Sequence, residues 1–223
     1  MSNSVPRPQE RVIAYIDGFN LYFGLREARL RHCYWLNVAA LVGNLLKPHQ
    51  QLLRTRYFTS RLSGPPAGNT SPWAVALHQK RKRQSEFLDA LGSIPQLDIH
   101  LGKYLAKPAN CRACGSTWII HEEKMTDVNI ATELLTDAFQ DQFDTALLVS
   151  ADSDLVPPVE SIRRLFPAKR VVVAFPPQRS SKDLQKSASA WLRIHEATLK
   201  KSQLPDPVVL PNGYSLSRPS EWK

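Results

Sequence analysis

Val12–Ile16 (VIAYI), Thr145–Ser150 (TALLVS) and Arg170–Phe175 (RVVVAF) are almost continuously apolar, the pattern of strands buried on both faces of a sheet. Leu53–Thr59 reads as a further strand, and Leu97, Ile99 and Leu101 alternate with polar neighbours as a short one. Between these strands the apolar spacing lengthens to that of helices. One helix starts near Asn20 and runs through Leu21, Leu25 and Ala28, and a second covers Leu36–Leu46 and stops before Pro48. Pro72 suits the first turn of a third, capped by Ser71 and reaching about Leu91. Val128, Ala131, Leu134, Leu135 and Ala138 mark a fourth over Asp127–Phe139, with Thr126 as its cap. Helical patterns over Pro157–Phe166 and Lys182–Leu199 follow, while Ser63–Ser71 and the segment KPANCRACGST read as irregular.

Apolar strands alternating with amphipathic helices predict an α/β domain: a mostly parallel central sheet with helices on both faces. No internal repeat or second domain is visible. Residues 1–10 are polar and read as a disordered lead-in, residues 11–200 as the domain, and residues 201–223 as a Pro-rich tail that wraps the surface or hangs free.

In parallel sheets chemistry gathers beyond the C-terminal ends of the strands. The first strand runs into Asp17, with Asn20 a short turn later (YIDGFNLY), and the second into Asp152 and Asp154 (LLVSADSDLVPPV). Asp127 lies in the first turn of its helix, where the helix dipole tolerates a carboxylate. Four carboxylates in one crevice repel each other unless a cation is present. Hard oxygen ligands with no nearby His or Cys select Mg²⁺ or Mn²⁺, and such ions cleave phosphodiesters by polarising phosphate, activating water and stabilising the leaving oxygen. Taken singly, each acid has an ordinary alternative: a helix-start residue for Asp127, a loop and cap for Asp152 and Asp154, a turn for Asp17-Gly18.

YIDGFNLY, EEKMTDVNIATELL and LLVSADSDLVPPV, in this order, resemble the motifs of the NYN domain family, the branch of the PIN-like ribonuclease superfamily that includes LabA-like and DUF88 proteins. The resemblance covers roughly residues 11–195. It implies a PIN-like three-layer α/β sandwich and metal-dependent RNA cleavage, with Asp17, Asn20, Asp127, Asp152 and Asp154 as the catalytic set and the four aspartates as metal ligands. Two departures stand out: Ala151 occupies a position where many members have Gly, and Ser189-Ala190-Trp191 lacks the Ala-Asp that many members carry there. Ser150 either orients a metal ligand or simply ends its strand, and Asp137 reads as a helix-surface residue.

Charge adds to the picture. The chain of 223 residues carries a formal net charge of +9, which favours a polyanionic partner such as RNA. Lys80-Arg81-Lys82-Arg83 lies within the third helix, Arg54, Arg56 and Arg61 cluster near a strand, and Lys124 stands just before Asp127. Beside a phosphodiesterase site such groups would contact a backbone without sequence preference, although a charge run is more often a solvated face. Trp73, Trp118 and Tyr104 are candidates for stacking on single-stranded bases, with ordinary packing as the alternative.

Three cysteines, Cys33, Cys111 and Cys114, make no disulfide framework and suit a reducing cytoplasm. The N-terminus has no apolar leader, and no run approaches the roughly 20 apolar residues of a membrane span. Cys111 and Cys114 form a CxxC knuckle, a shape that presents two thiolates to Zn²⁺. Closure of a zinc site would need His32, Cys33, His100, His121 or a second copy in a homo-oligomer; a metal-free loop is the default.

Three functions follow in order: a Mg²⁺-dependent ribonuclease; a non-catalytic RNA-binding or scaffold module that keeps the fold; and a glycosyltransferase or phosphatase using Asp152-Ser153-Asp154. The last leaves Asp17 and Asp127 without a role and has no Gly-rich nucleotide loop.

Overall fold

β1 (Glu10–Asp17) sends alternate side chains to opposite faces of a sheet, and both faces are covered. In the computed structural model, which describes residues 9–65 and 68–223 and excludes the side chains of 104–108 and 119–122, Val12, Ala14 and Ile16 enter one core and Ile13 and Tyr15 the other. This two-sided burial is why β1 and β6 (Thr145–Val149) read as unbroken apolar runs.

From β1 the chain passes through α1 (Gly18–Glu27) and α2 (Val38–Leu45) to β2 (Gln50–Thr59), then α3 (Pro72–Gly92) and β3 (Leu97–Leu101). A hairpin of β4 (Lys103–Asn110) and β5 (Thr117–Lys124) leads into α4 (Thr126–Phe139), β6, α5 (Val156–Leu165) and β7 (Arg170–Phe175). After these come α6 (Lys182–Ser187), β8 (Ala190–Arg193) and α7 (Glu196–Lys201). The main sheet has six strands in the order β3-β2-β1-β6-β7-β8, and every pairing in it is parallel. Residues of α1, α2 and α3 pack on one face; residues of α4, α5 and α6 pack on the other. The direction of winding reverses between β1 and β6, and a crevice opens at such a switch point beyond the strand ends.

Four local expectations are corrected. Glu10 already belongs to β1, opposite Gln50, so the lead-in does not extend to it; residues 1–8 lie outside the described residues. The segment KPANCRACGST is not irregular: it supplies the end of β4, the turn and the start of β5. Pro108 fits because both strands of a two-stranded ribbon are edges. The helix expected over Lys182–Leu199 breaks at Ala188, whose backbone is extended, and Ala190–Arg193 then pairs with the otherwise open edge of β7. Thr126 does not cap α4; Met125 holds the cap position at φ 77° and offers no side-chain bond.

The tail wraps the surface. Leu204, Val208 and Leu216 bury against Trp35 and Ala90, the Trp35 indole donates to the carbonyl of Pro205 at 2.9 Å, and a one-turn helix (Ser220–Trp222) follows a short ribbon of β9 (Val208–Val209) and β10 (Ser215–Leu216).

Candidate active site

Asp17 ends β1 and caps α1, its Oδ1 accepting the N–H of Asn20 at 2.9 Å. Its other oxygen accepts the hydroxyl of Ser150 at 2.9 Å, where β6 ends on the neighbouring strand. The Ser150 oxygen also accepts the N–H of Asp152 at 3.1 Å, and the Asn20 side-chain oxygen accepts the N–H of Ala151 at 3.1 Å. Asp152 in turn caps a short 3₁₀ turn, accepting from the N–H of Asp154 at 3.0 Å. One network therefore ties the ends of β1 and β6 together. Asp17 and Asn20 are buried in it, Asp152 is half-buried and Asp154 is exposed.

Asp127 enters from the first turn of α4. Its acidity is weakened by burial and by the charges of Asp152 and Asp154. Burial, against the hydrogen bonds from Asn20 and Ser150, pushes the Asp17 carboxyl up to about 6, and the charges of Asp127 and Asp152 add to the rise. The four predicted aspartates thus share one electrostatic environment.

Sequence reasoning missed a fifth acid, Glu123. Its carboxyl is pushed up to about 7, chiefly by burial and then by the charges of Asp17 and Asp127. Thr126 donates its hydroxyl to Glu123, which is what that residue does in place of capping α4. The hairpin delivers Glu123 by returning alongside the sheet: Gly102 donates its N–H to the Thr59 carbonyl at 2.7 Å, and a Cβ there would stand 2.6 Å from the Lys124 carbonyl oxygen. Only glycine allows that approach. The signal in the sequence was Glu123's place in the motif EEKMTDVNIATELL, three residues before Thr126, and it assigns no role until β5 is recognised.

Among the described residues, no three His, Cys, Asp or Glu side chains stand close enough to enclose a metal ion, so these acids act on each other through their fields without forming a finished cage. The donor set nonetheless fits a hard divalent cation: it is all oxygen and net negative, and the buried Ser60 hydroxyl beside Glu123 adds a neutral oxygen.

The basic residues divide. Lys80 and Arg83, three apart on α3, line one cavity with Gly18 and Tyr57. Arg81 donates to the Leu62 carbonyl at 2.9 Å, and Lys82 faces Glu86 at 3.8 Å, a solvated pair. Lys124 is exposed at the end of β5. Arg54 pairs with Asp98 at 3.4 Å, and Arg61 reaches Ser85 at 3.4 Å. Arg56 is no surface contact: its guanidinium forks onto Asp137 at 2.9 and 2.7 Å and reaches Glu133 at 2.9 Å. Asp137, expected on the surface, is 2% exposed and also accepts the Tyr15 hydroxyl at 2.5 Å.

Cys111 and Cys114 sit at the tip of the β4–β5 hairpin, where Gly115 takes φ 71°. Hydrogen bonds from Ser116 draw the exposed Cys114 thiol down to about 7. Further zinc ligands do not gather there among the described residues. Cys33 is buried in the core, His100 stacks on Phe58 and faces Glu133, and His32 faces Glu196; the side chain of His121 lies outside the described residues. Trp73 and Trp118 are about half exposed, and the Tyr104 side chain is outside the described residues.

A parallel α/β sandwich with acids gathered at its switch point defines the class: a PIN-like domain. The chain belongs to the NYN domain family, whose sequence model matches residues 11–194, and this places it in the PIN-like nuclease superfamily. It is 27% identical to 6-hydroxy-3-succinoylpyridine 3-monooxygenase HspA of Pseudomonas putida (strain DSM 28022 / S16), over 95% of this chain and 75% of that protein. The fold is shared with a crystal structure of VPA0982, a protein of unknown function from Vibrio parahaemolyticus RIMD 2210633. The TM-score is 0.53 and the identity 21%, covering 86% of this chain and 98% of the other. Among the described residues no helix is long and apolar enough to cross a membrane.

Proposed function

We propose that this protein is a cytoplasmic, Mg²⁺- or Mn²⁺-dependent ribonuclease acting on single-stranded RNA. What carries the reading is the mutual electrostatic influence of Asp17, Asp127 and Asp152, brought from three separate chain segments to one end of the sheet. Asp17, Asp127, Asp152 and Asp154 would hold the cation, with Glu123 beside them. The bound ion would supply Lewis acidity toward the phosphate and lower the pKa of a water.

The chain's own residues do the positioning. Asn20 and Ser150 fix Asp17 and the backbone at Ala151 and Asp152, so that these ligands are set before substrate arrives. Lys124 and the exposed part of the α3 run would hold the RNA backbone. Glu123, near neutrality, is suited to pass a proton to or from the reacting oxygens.

The test is cleavage of an end-labelled single-stranded RNA with Mg²⁺ or Mn²⁺ and with EDTA. Metal-dependent cleavage that disappears in Asp152→Asn supports the reading. RNA binding without cleavage would favour the non-catalytic module instead. A third reading is favoured by one observation, the similarity to the Pseudomonas relative, a 6-hydroxy-3-succinoylpyridine 3-monooxygenase. Turnover of 6-hydroxy-3-succinoylpyridine with dioxygen and a reductant, and none of RNA, would select it.

A further inference from the structure

A cavity of about 450 Å³ opens on the α1–α3 face of the sheet, within the size range of roughly 300–1,000 Å³ typical of small-molecule clefts. It adjoins the acid cluster through a shared wall. Gly18, the residue after Asp17, and Tyr57 both line it, and a Cβ on Gly18 would stand 2.6 Å from the Tyr57 hydroxyl. Burial raises the Tyr57 phenol above its usual range, and the charges of Asp17 and Glu123 add to the rise.

Two features of the lining point to a ligand. The first is a ring of half-buried aromatics: Tyr22 and Tyr34 lie 5.2 Å apart between centroids, Tyr34 and Trp222 5.7 Å, and Phe87 and Trp222 6.1 Å. Trp35 and Phe58, by contrast, are completely buried, so the cavity aromatics keep surface that the core does not use. The second is charge. Arg26, Arg31, Lys80 and Arg83 line the cavity against a single carboxylate, Glu221, which is already engaged by Arg83 at 2.6 Å. Lys80 has no acidic partner among the described residues, and desolvation together with Arg26 and Arg83 weakens its hold on its proton. Four cations around one acid repel each other until an anion arrives, while open aromatic faces stack best on a planar ring.

We infer that this cavity is a second binding site, beside the acidic one, for a planar aromatic ring that carries a negatively charged group. The ring stacks among Tyr22, Tyr34, Phe87 and Trp222, and the anion meets Lys80 and the neighbouring guanidinium groups. Two sources share this chemistry: one nucleotide of a strand lying across the acids, or a free small aromatic acid. The inference does not depend on the ribonuclease reading, because occupancy needs neither metal nor cleavage.

Isothermal titration calorimetry on the metal-free 223-residue protein tests it with AMP, adenosine, inorganic phosphate and pyridine-3-carboxylate as probes. At least one ring acid should bind about tenfold or more tighter than adenosine or phosphate, and its affinity should fall with added salt. Lys80→Gln, a change at a solvent-exposed position, should weaken binding about tenfold, as should Trp222→Ala where it folds. AMP binding tighter than pyridine-3-carboxylate assigns the site to a nucleotide, and the reverse order assigns it to a free acid. No binding of either ring acid at millimolar concentration, equal binding of adenosine, or unchanged affinity in Lys80→Gln overturns the inference. Repeating the titration in Asp152→Asn separates the two ideas: lost cleavage with retained binding leaves both standing, whereas binding in a wild-type protein that cuts no RNA rejects only the ribonuclease.

Discussion

The Ser150 hydroxyl donates to the Asp17 carboxylate at 2.9 Å, across 133 residues of sequence and from one parallel strand to the next. The bond exists because β1 pairs in register with β6, Ile16 opposite Val149, so the next residue on each strand meets at the end of the sheet. Ser150 thus connects two motifs that in sequence look independent. Ser150→Ala should leave a buried carboxylate oxygen and the Asp152 N–H without their partner, a cost of about 1–3 kcal/mol. Calorimetry should show a lower Tm, and the pH at which RNA cleavage sets in should move upward, because the charged form of Asp17 has lost a donor. An unchanged Tm and pH profile would mean that Ser150 merely ends a strand.

Asp152→Asn separates ligand from scaffold. Removing one charge from a repelling group should abolish metal-dependent cleavage and leave the metal-free protein equally or more stable. Urea denaturation read by circular dichroism, beside a cleavage assay, decides it. A destabilised variant would identify Asp152 as a structural cap of its 3₁₀ turn, the other role its geometry permits.

The pH dependence of stability follows from the same crowding. Asp17 and Glu123 have carboxyls raised from 3.8 to about 6 and from 4.5 to about 7. Groups raised on folding stabilise below their unfolded values and lose that contribution as pH rises through the folded ones. Asp141 and Asp144 are shifted the other way by Arg11 and Lys169, so their contribution is lost only in acid, outside this window. Metal-free protein should therefore lose stability between about pH 4 and pH 7, the interval between the unfolded and folded values, with the share of the buried Asp17 about 3 kcal/mol. Mg²⁺ should restore it at the upper end, and Asp17→Asn should flatten the slope. A Tm that is level across that range, with and without metal, would contradict this account.

Arg56 and Asp137 are expected to matter for folding and not for RNA. Their bidentate pair joins a buried carboxylate to a half-buried guanidinium, with Tyr15 and Glu133 completing it. Breaking such a pair leaves an uncompensated charge, at about 3–5 kcal/mol. Asp137→Ala should lower stability by that order, and Lys82→Ala, on the solvated side of α3, should barely change it. The denaturation midpoints of the two variants give the comparison. A neutral Asp137→Ala would return that residue to the helix surface.

The central strands were legible because strands buried on both faces must be continuously apolar. The acids at their ends were legible for the same reason: a buried run that stops at Asp17 or Ser150 marks where the sheet ends. The β4–β5 hairpin was not, because it stands outside the main sheet and carries Pro108. β8 (Ala190–Arg193, AWLR) was hidden because four such residues fit the end of a helix as well as a strand, its strand state being imposed by the open edge of β7. Asp137 was misread because helical spacing alone does not reveal that Arg56 and Tyr15 wait on the facing strands.

Glu123 offers the most discriminating variant, since the motif that contains it, EEKMTDVNIATELL, assigned it no role. Its carboxyl is held near neutrality by burial and by Asp17 and Asp127, with the Thr126 hydroxyl as its donor. Glu123→Gln keeps the shape and the bond to Thr126 but removes both the charge and the titratable proton. The metal-free variant should be more stable than the wild type at about pH 8, where the wild-type group is forced to ionise, and little different at about pH 5. Cleavage should fall by about 10²-fold or more if Glu123 moves a proton, with Mg²⁺ affinity largely retained. If it is a metal ligand instead, Mg²⁺ affinity should fall in parallel with the rate, and excess Mn²⁺ should rescue it. Thermal melts at the two pH values, Mg²⁺ titration and single-turnover cleavage together distinguish these roles, and unchanged values in all three would remove Glu123 from the site.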